Sequence, residues 1–161
     1  MWIDESDTTQ LSQRLRVGPR ELLEAIGGPW HVVGRIPEHE MERPGTLFVG
    51  RAGPSVGILV TDDASPEVSV GMAVGEWVGA DLLQWTLALP VVRLRTPAPG
   101  DSSADTDALL DDLRDAVDAA AAAKAHVLVV CRYCAALVAP ERAFGDELCL
   151  ACGSSVFGVV H

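Results

Sequence analysis

The spacing of apolar residues changes twice along the chain. Between Thr8 and Ile26 they recur at helical intervals, which predicts a short helix over Thr8–Arg16 and a second over Pro19–Ile26. Pro19 suits a first helical position, Glu21 lies in the first turn and Gly27-Gly28 ends the run. Leu15, Leu22, Leu23 and Ile26 are the apolar positions of this helical hairpin. From residue 31 to 95 the pattern turns to short β-branched runs: HVVGRI, TLFVG, SVGILVT, EVSVGMAVG and VVRLR. Arg43-Pro44-Gly45, Gly53-Pro54 and the stretch from Asp62 to Pro66 punctuate them, at a spacing that predicts an antiparallel sheet or small barrel. Within this region GEWVGADLLQWTLALP, residues 75–90, lets part of the run Trp77, Leu82, Trp85 and Leu89 share one helical face, and a helix broken at Gly79 is predicted there, with another strand as the alternative.

RTPAPGDSSADTD, residues 95–107, has no large apolar residue and reads as a linker. Asp105 or Thr106 then caps a helix running to about Ala125. Asp107, Asp111 and Asp112 favour its start and Lys124 its end, while Leu110, Leu113, Val117 and the alanines from Ala119 to Ala123 form an apolar stripe. The expected organisation is α+β: a domain over 1–95 with N-terminal helices and an antiparallel sheet or barrel, a linker over 96–106, an acidic helix over 107–125 and a small C-terminal unit over 126–161.

Charge narrows the function. The formal net charge is −11, with 13 acids and 8 bases in residues 1–100, 7 and 2 in 101–125, and 3 and 2 in 126–161. No segment offers the basic stripe that phosphate backbones or anionic membranes require. Arg14, Arg16 and Arg20 are the one local concentration of positive charge, on a segment that faintly resembles a helix-turn-helix; the plainer reading is a packed helical hairpin. Acids on the 107–125 helix read as a solvated face. No apolar run reaches the length of a membrane span, and the acidic start MWIDESDTT lacks the form of a secretory signal, so a cytoplasmic location is expected.

All four cysteines fall within 22 residues, as Cys131-Arg132-Tyr133-Cys134 and, fourteen residues later, Cys149-Leu150-Ala151-Cys152. Cysteines three apart on a tight turn aim two sulfurs at one point, and two such turns supply the four thiolates of a tetrahedral metal site. From about 127 to 161 the chain resembles the zinc-ribbon class, on these four cysteines and Gly153. The resemblance implies a structural zinc held by Cys131, Cys134, Cys149 and Cys152 between short antiparallel strands, here AALVAP and SSVFGVV, with Phe144, Leu148, Val156 and Phe157 packed beside the metal. Two disulfides, a redox pair and an iron site are the alternatives. A fully cysteine-ligated zinc has no open position and does no catalysis.

Weaker candidates carry little chemistry. Glu38-His39-Glu40-Met41-Glu42 lacks the spacing that sets two ligands on one helical face. Asp62 and Asp63 read as turn residues, and Ser102 and Ser103 as linker residues without a placed base. His126 and His161 flank the ribbon as surface groups. No catalytic or small-cofactor residue is identified. The expectation is a non-enzymatic binding, adaptor or regulatory protein with a structural zinc ribbon and a protein partner. A nucleic-acid-associated regulator using the helix pair or the ribbon, and an enzyme with its site in the 31–95 sheet, are the alternatives.

Overall fold

The computed structural model describes residues 5–36, 44–50, 55–78, 82–145 and 147–157. Two helices, α1 (Glu5–Leu15) and α2 (Pro19–Ile26), precede five strands: β1 (Trp30–Ile36), β2 (Gly45–Gly50), β3 (Val56–Thr61), β4 (Glu67–Val78) and β5 (Leu82–Arg95). The strands form one antiparallel sheet in sequence order. A long helix α3 (Ser103–Ala125) follows, then the hairpins β6 (Val129–Val130)/β7 (Leu137–Val138) and β8 (Ala143–Phe144)/β9 (Leu148–Cys149), and finally α4 (Leu150–Phe157). The architecture is mixed α+β, and no helix among the described residues is long and apolar enough to cross a membrane.

The sheet is buried on both faces at its centre, which is why β2 and β3 read as nearly unbroken apolar runs. On one face Trp30, Phe48, Ile58, Val60, Val68 and Val70 meet Leu11, Leu15 and Leu22 of the helical hairpin. The apolar stripe of α3, Leu109, Leu110, Leu113, Ala116 and Ala120, belongs to the same cluster. On the other face Leu47, Val49, Leu59 and Ala73 meet Val33, Trp85 and Leu87, so the sheet curls until side chains of β5 and β1 share one small interior. Two irregularities permit the curl. Pairing jumps between Val32 and Gly34 on β1, and between Val70 and Met72 on β4, where β5 passes from Val92 to Ala88. Pro90, which has no N–H to donate, falls in that jump. Gly57 lets β5 cross closely: a Cβ there would lie 2.4 Å from the Leu87 side chain.

The helix expected over 75–90 is instead the paired arms of β4 and β5. Leu83, Trp85 and Leu87 are partly buried while Leu82, Gln84 and Thr86 are exposed, a period of two that outweighs the helical offsets of Trp77, Leu82, Trp85 and Leu89. Other expectations fare differently. Helix α2 has the bounds expected of it, and α1 starts three residues before Thr8. Helix α3 begins at Ser103, where Ser102 and Asp105 form a reciprocal capping box. SSVFGVV was expected as a strand, but Ser154–Phe157 continues α4, and residues 158–161 lie outside the described residues.

The C-terminal segment is fastened to the sheet by a buried ion pair. Lys124 Nζ, at the end of α3, donates to both carboxylate oxygens of Glu141 at 3.0 Å and to the Ala73 carbonyl at 2.6 Å. The two side chains are 0% and 2% exposed. The Ala73 N–H pairs with the Ser55 carbonyl, just ahead of β3, leaving the carbonyl of Ala73 to the lysine. Glu141 sits in a 3-10 turn, Pro140–Arg142, whose carbonyl at Glu141 accepts from the Trp77 indole at 3.1 Å. Removing one partner strands the other charge in the interior. Glu141→Ala and Lys124→Met are each expected to cost about 3–5 kcal/mol, and the double change Lys124→Met/Glu141→Leu to cost much less than their sum. Denaturant unfolding of the three variants checks this.

Candidate metal centre

Two turns bring the four sulfurs together. In the first, the Ala135 N–H bonds the Cys131 carbonyl at 2.9 Å, and Ala135 adopts a left-handed φ of 59° to close the turn. The Cys131 N–H donates to the Ala136 carbonyl at 2.9 Å, and the Arg132 N–H reaches the Glu147 carbonyl at 2.8 Å, tying the first turn to the strand that leads into the second. In the second, Cys149 immediately precedes α4 and its Sγ accepts from the Cys152 N–H at 3.4 Å. The sulfur thus occupies the place of a helix N-cap acceptor, where negative charge is favoured. That cap explains why a helix, not a strand, follows the second pair.

All four sulfurs lie within 4.8 Å of one another, and those of Cys134 and Cys149 are 3.9 Å apart. Tetrahedral ligation at a metal–sulfur distance near 2.3 Å sets sulfurs ~3.8 Å apart. All four cysteines are free, without the two disulfides that were one alternative to a metal site. Cys131 and Cys149 are buried, Cys152 is half-buried and Cys134 is exposed. The donor set, the separations and the N–H groups aimed at sulfur fit one thiophilic ion. Gly153 is buried inside α4, where a Cβ would lie 2.7 Å from that of Phe144, so this glycine serves close packing of the helix on β8. The side chains of Val156 and Phe157 lie outside the described residues.

The sulfurs do not hold protons equally. The backbone N–H of Cys149, joined by those of Cys134 and Tyr133, pulls the Cys131 thiol down to about 6. Hydrogen bonding to the Cys149 and Cys134 sulfurs, burial and the Cys131 charge push Cys152 up to about 12. Cys131 is therefore the more readily ionised of these two sulfurs and Cys152 the one that holds its proton more firmly.

The remaining candidates are otherwise engaged. Arg14 pairs with Asp62, which also accepts from Thr46, and Asp63 accepts from Thr61. Arg16 donates to the carbonyls of Pro97 and Ala64, and Arg20 pairs with Glu24 at 2.9 Å. Ser102 caps α3 and Ser103 is its first residue. His126 caps the other end of α3 and is not among the residues whose ligand atoms converge in the sulfur cluster. The segment Glu38–Glu42 and His161 lie outside the described residues. Sequence reading missed Lys124 and Glu141, although Lys124 continues the buried stripe of Leu113, Ala116 and Ala120 at three- and four-residue spacing. No protein-family model matches the chain, and no curated protein or solved structure is significantly similar to it.

Protons and metal compete for the same sulfur lone pairs, so metal affinity falls as pH falls. Cys131 joins that competition only below about pH 6, whereas Cys152, held at about 12, loses a proton to the metal throughout the neutral range. Titrating Zn²⁺ into metal-free protein at neutral pH is expected to release fewer protons than the four sulfurs would if all were protonated, measured by calorimetry in buffers of different ionisation enthalpy. Ala135→Gly, which relieves the left-handed backbone, is expected to leave metal binding intact and to stabilise the loaded protein by up to about 1 kcal/mol.

Proposed function

We propose that this protein is a non-enzymatic binding module, stabilised by one structural zinc on Cys131, Cys134, Cys149 and Cys152 in a ribbon-like C-terminal segment, and that its partner is a protein. Four thiolates with no position left for water suit a structural ion and leave nothing for a substrate to coordinate. One observation carries the partner reading: an apolar rim beside the metal segment. Leu82 is 60% exposed, Leu137 64%, Val130 56% and Trp77 45%. Val130 pairs with Leu137 in one hairpin and Trp77 with Leu83, next to Leu82, in another, and Trp77 and Leu137 line the same groove. Exposed apolar side chains on both hairpins, with Trp77 and Leu137 lining one groove, are what a docking surface offers.

The nucleic-acid alternative finds less support, because Arg14 and Arg16 are held by Asp62 and by backbone carbonyls, and Arg20 by Glu24. Two outcomes are expected. Elemental analysis of protein purified without added metal should find about one zinc per chain; iron, or no metal, would remove the zinc assignment. In quantitative affinity purification from host lysate, at least one protein should be retained by the native chain and lost by Leu82→Asp/Val130→Asp, with zinc content unchanged. Identical recoveries would overturn the docking reading. A labelled DNA duplex should bind no tighter than roughly 10⁻⁴ M at physiological salt, and micromolar, salt-sensitive binding would restore the nucleic-acid alternative.

A further inference from the structure

We infer that the groove at the mouth of the curled sheet is a binding site for a small apolar molecule bearing one anionic group, with the metal-holding segment as one of its walls. The groove encloses about 540 Å³, within the ~300–1,000 Å³ of small-ligand sites, which also favour the mouths of curled sheets. Val33, Val49, Leu83 and Trp85 line it from the sheet, while Leu137 and Leu150 line it from the metal segment. Trp77 stands between them, its ring fixed by the indole bond to the Glu141 carbonyl.

Charge selects the ligand. Among the described residues, two charged ones line the groove, Glu141 and Arg142. Glu141 spends both carboxylate oxygens on Lys124, so the pair presents no net charge. Arg142 is exposed, and no described carboxylate pairs with its guanidinium. The described lining of the cleft therefore carries one net positive charge in a chain of net −11. A guanidinium offers a planar fork that matches a carboxylate or sulfonate, and beside apolar walls it discriminates strongly between an anion and its neutral or cationic counterpart.

The metal and the ligand share a wall. Leu137 and Arg142 lie between Cys134 and Cys149, and Leu150 follows Cys149 directly, so an ion on the four sulfurs fixes the segment that faces the sheet. Whatever binds only to the assembled groove must, by reciprocity, tighten the equilibrium hold on that ion.

The test is calorimetric titration of the metal-loaded full chain with decanoate, decanol and decyltrimethylammonium below their aggregation limits. Saturable binding of one decanoate per chain is expected, with decanol and the cation roughly ten- to hundredfold weaker. Arg142→Gln should bring decanoate down to the level of decanol, and Arg142→Lys should recover part of the loss, both with unchanged metal content. Removal of the metal should abolish binding, and decanoate should lower the share of metal lost at equilibrium to a competing chelator. No saturable binding, equal affinity in Arg142→Gln, or equal affinity for the cation would overturn the inference. The rim variant Leu82→Asp/Val130→Asp is expected to retain decanoate binding, so the ligand site and the protein-docking reading fail separately.

Discussion

One carbonyl sets the problem that the C-terminal third of this chain solves. Where β3 runs out, β4 continues, and among the described residues the carbonyl of Ala73 has no paired strand beside it. A buried carbonyl without a donor is costly, and no apolar side chain can supply one. Lys124 reaches it from the last turn of α3, which brings a full charge into a region closed to water. Glu141 answers that charge with both oxygens, and in doing so fixes the 3-10 turn and everything attached to it. Exchanging such a pair for apolar residues often costs little overall. This one persists beside a hydrogen bond that apolar residues cannot make, and it positions a segment that contributes no side chain to either apolar cluster.

The parts of this arrangement were unequally legible in the sequence. The clustering of the four cysteines was plain because tetrahedral thiolate ligation requires one residue type at one spacing, and nothing else in the chain competes for that reading. Helix α2 was plain because its proline and glycines act locally. The β4–β5 arms were misread because Trp77, Leu82, Trp85 and Leu89 satisfy helical offsets by coincidence, while the deciding alternation of Leu83, Trp85 and Leu87 is weakened by the exposed Leu82. Helix α4 was misread because its cap is a sulfur, recognisable as a cap only once its geometry is known. Lys124 was taken as a dipole-complementing surface lysine, since charge in sequence normally means solvent. Its partner is seventeen residues away, beyond any local pattern.

Negative charge is distributed to the same end. Asp107, Asp111, Asp112, Asp115 and Asp118 are exposed along α3, opposite the stripe that enters the core. The arginines of the N-terminal hairpin do not answer them: Arg14 and Arg16 turn to the β3–β4 connection and to Pro97, pinning the hairpin to the sheet. Asp7 accepts from the Val32 N–H and Thr8 from the Trp30 N–H, so α1 also covers part of the free edge of β1. Charge on this side of the molecule is structural on its inner surface and solvating on its outer one.

Consequences for function follow from how few routes join the two halves. The sheet and its helices keep their apolar clusters without help from residues beyond Ala121. The metal segment, with strands of two residues each, has little of its own to keep it folded except the ion its four sulfurs would share. Between them run the Lys124–Glu141 pair and the bond from the Trp77 indole to the Glu141 carbonyl, both converging on one residue of one short turn. That residue and its neighbour Arg142 also line the groove. Glu141 and Arg142 therefore join the end of α3 to the groove, and the turn that carries them lies along the chain between the two cysteine pairs.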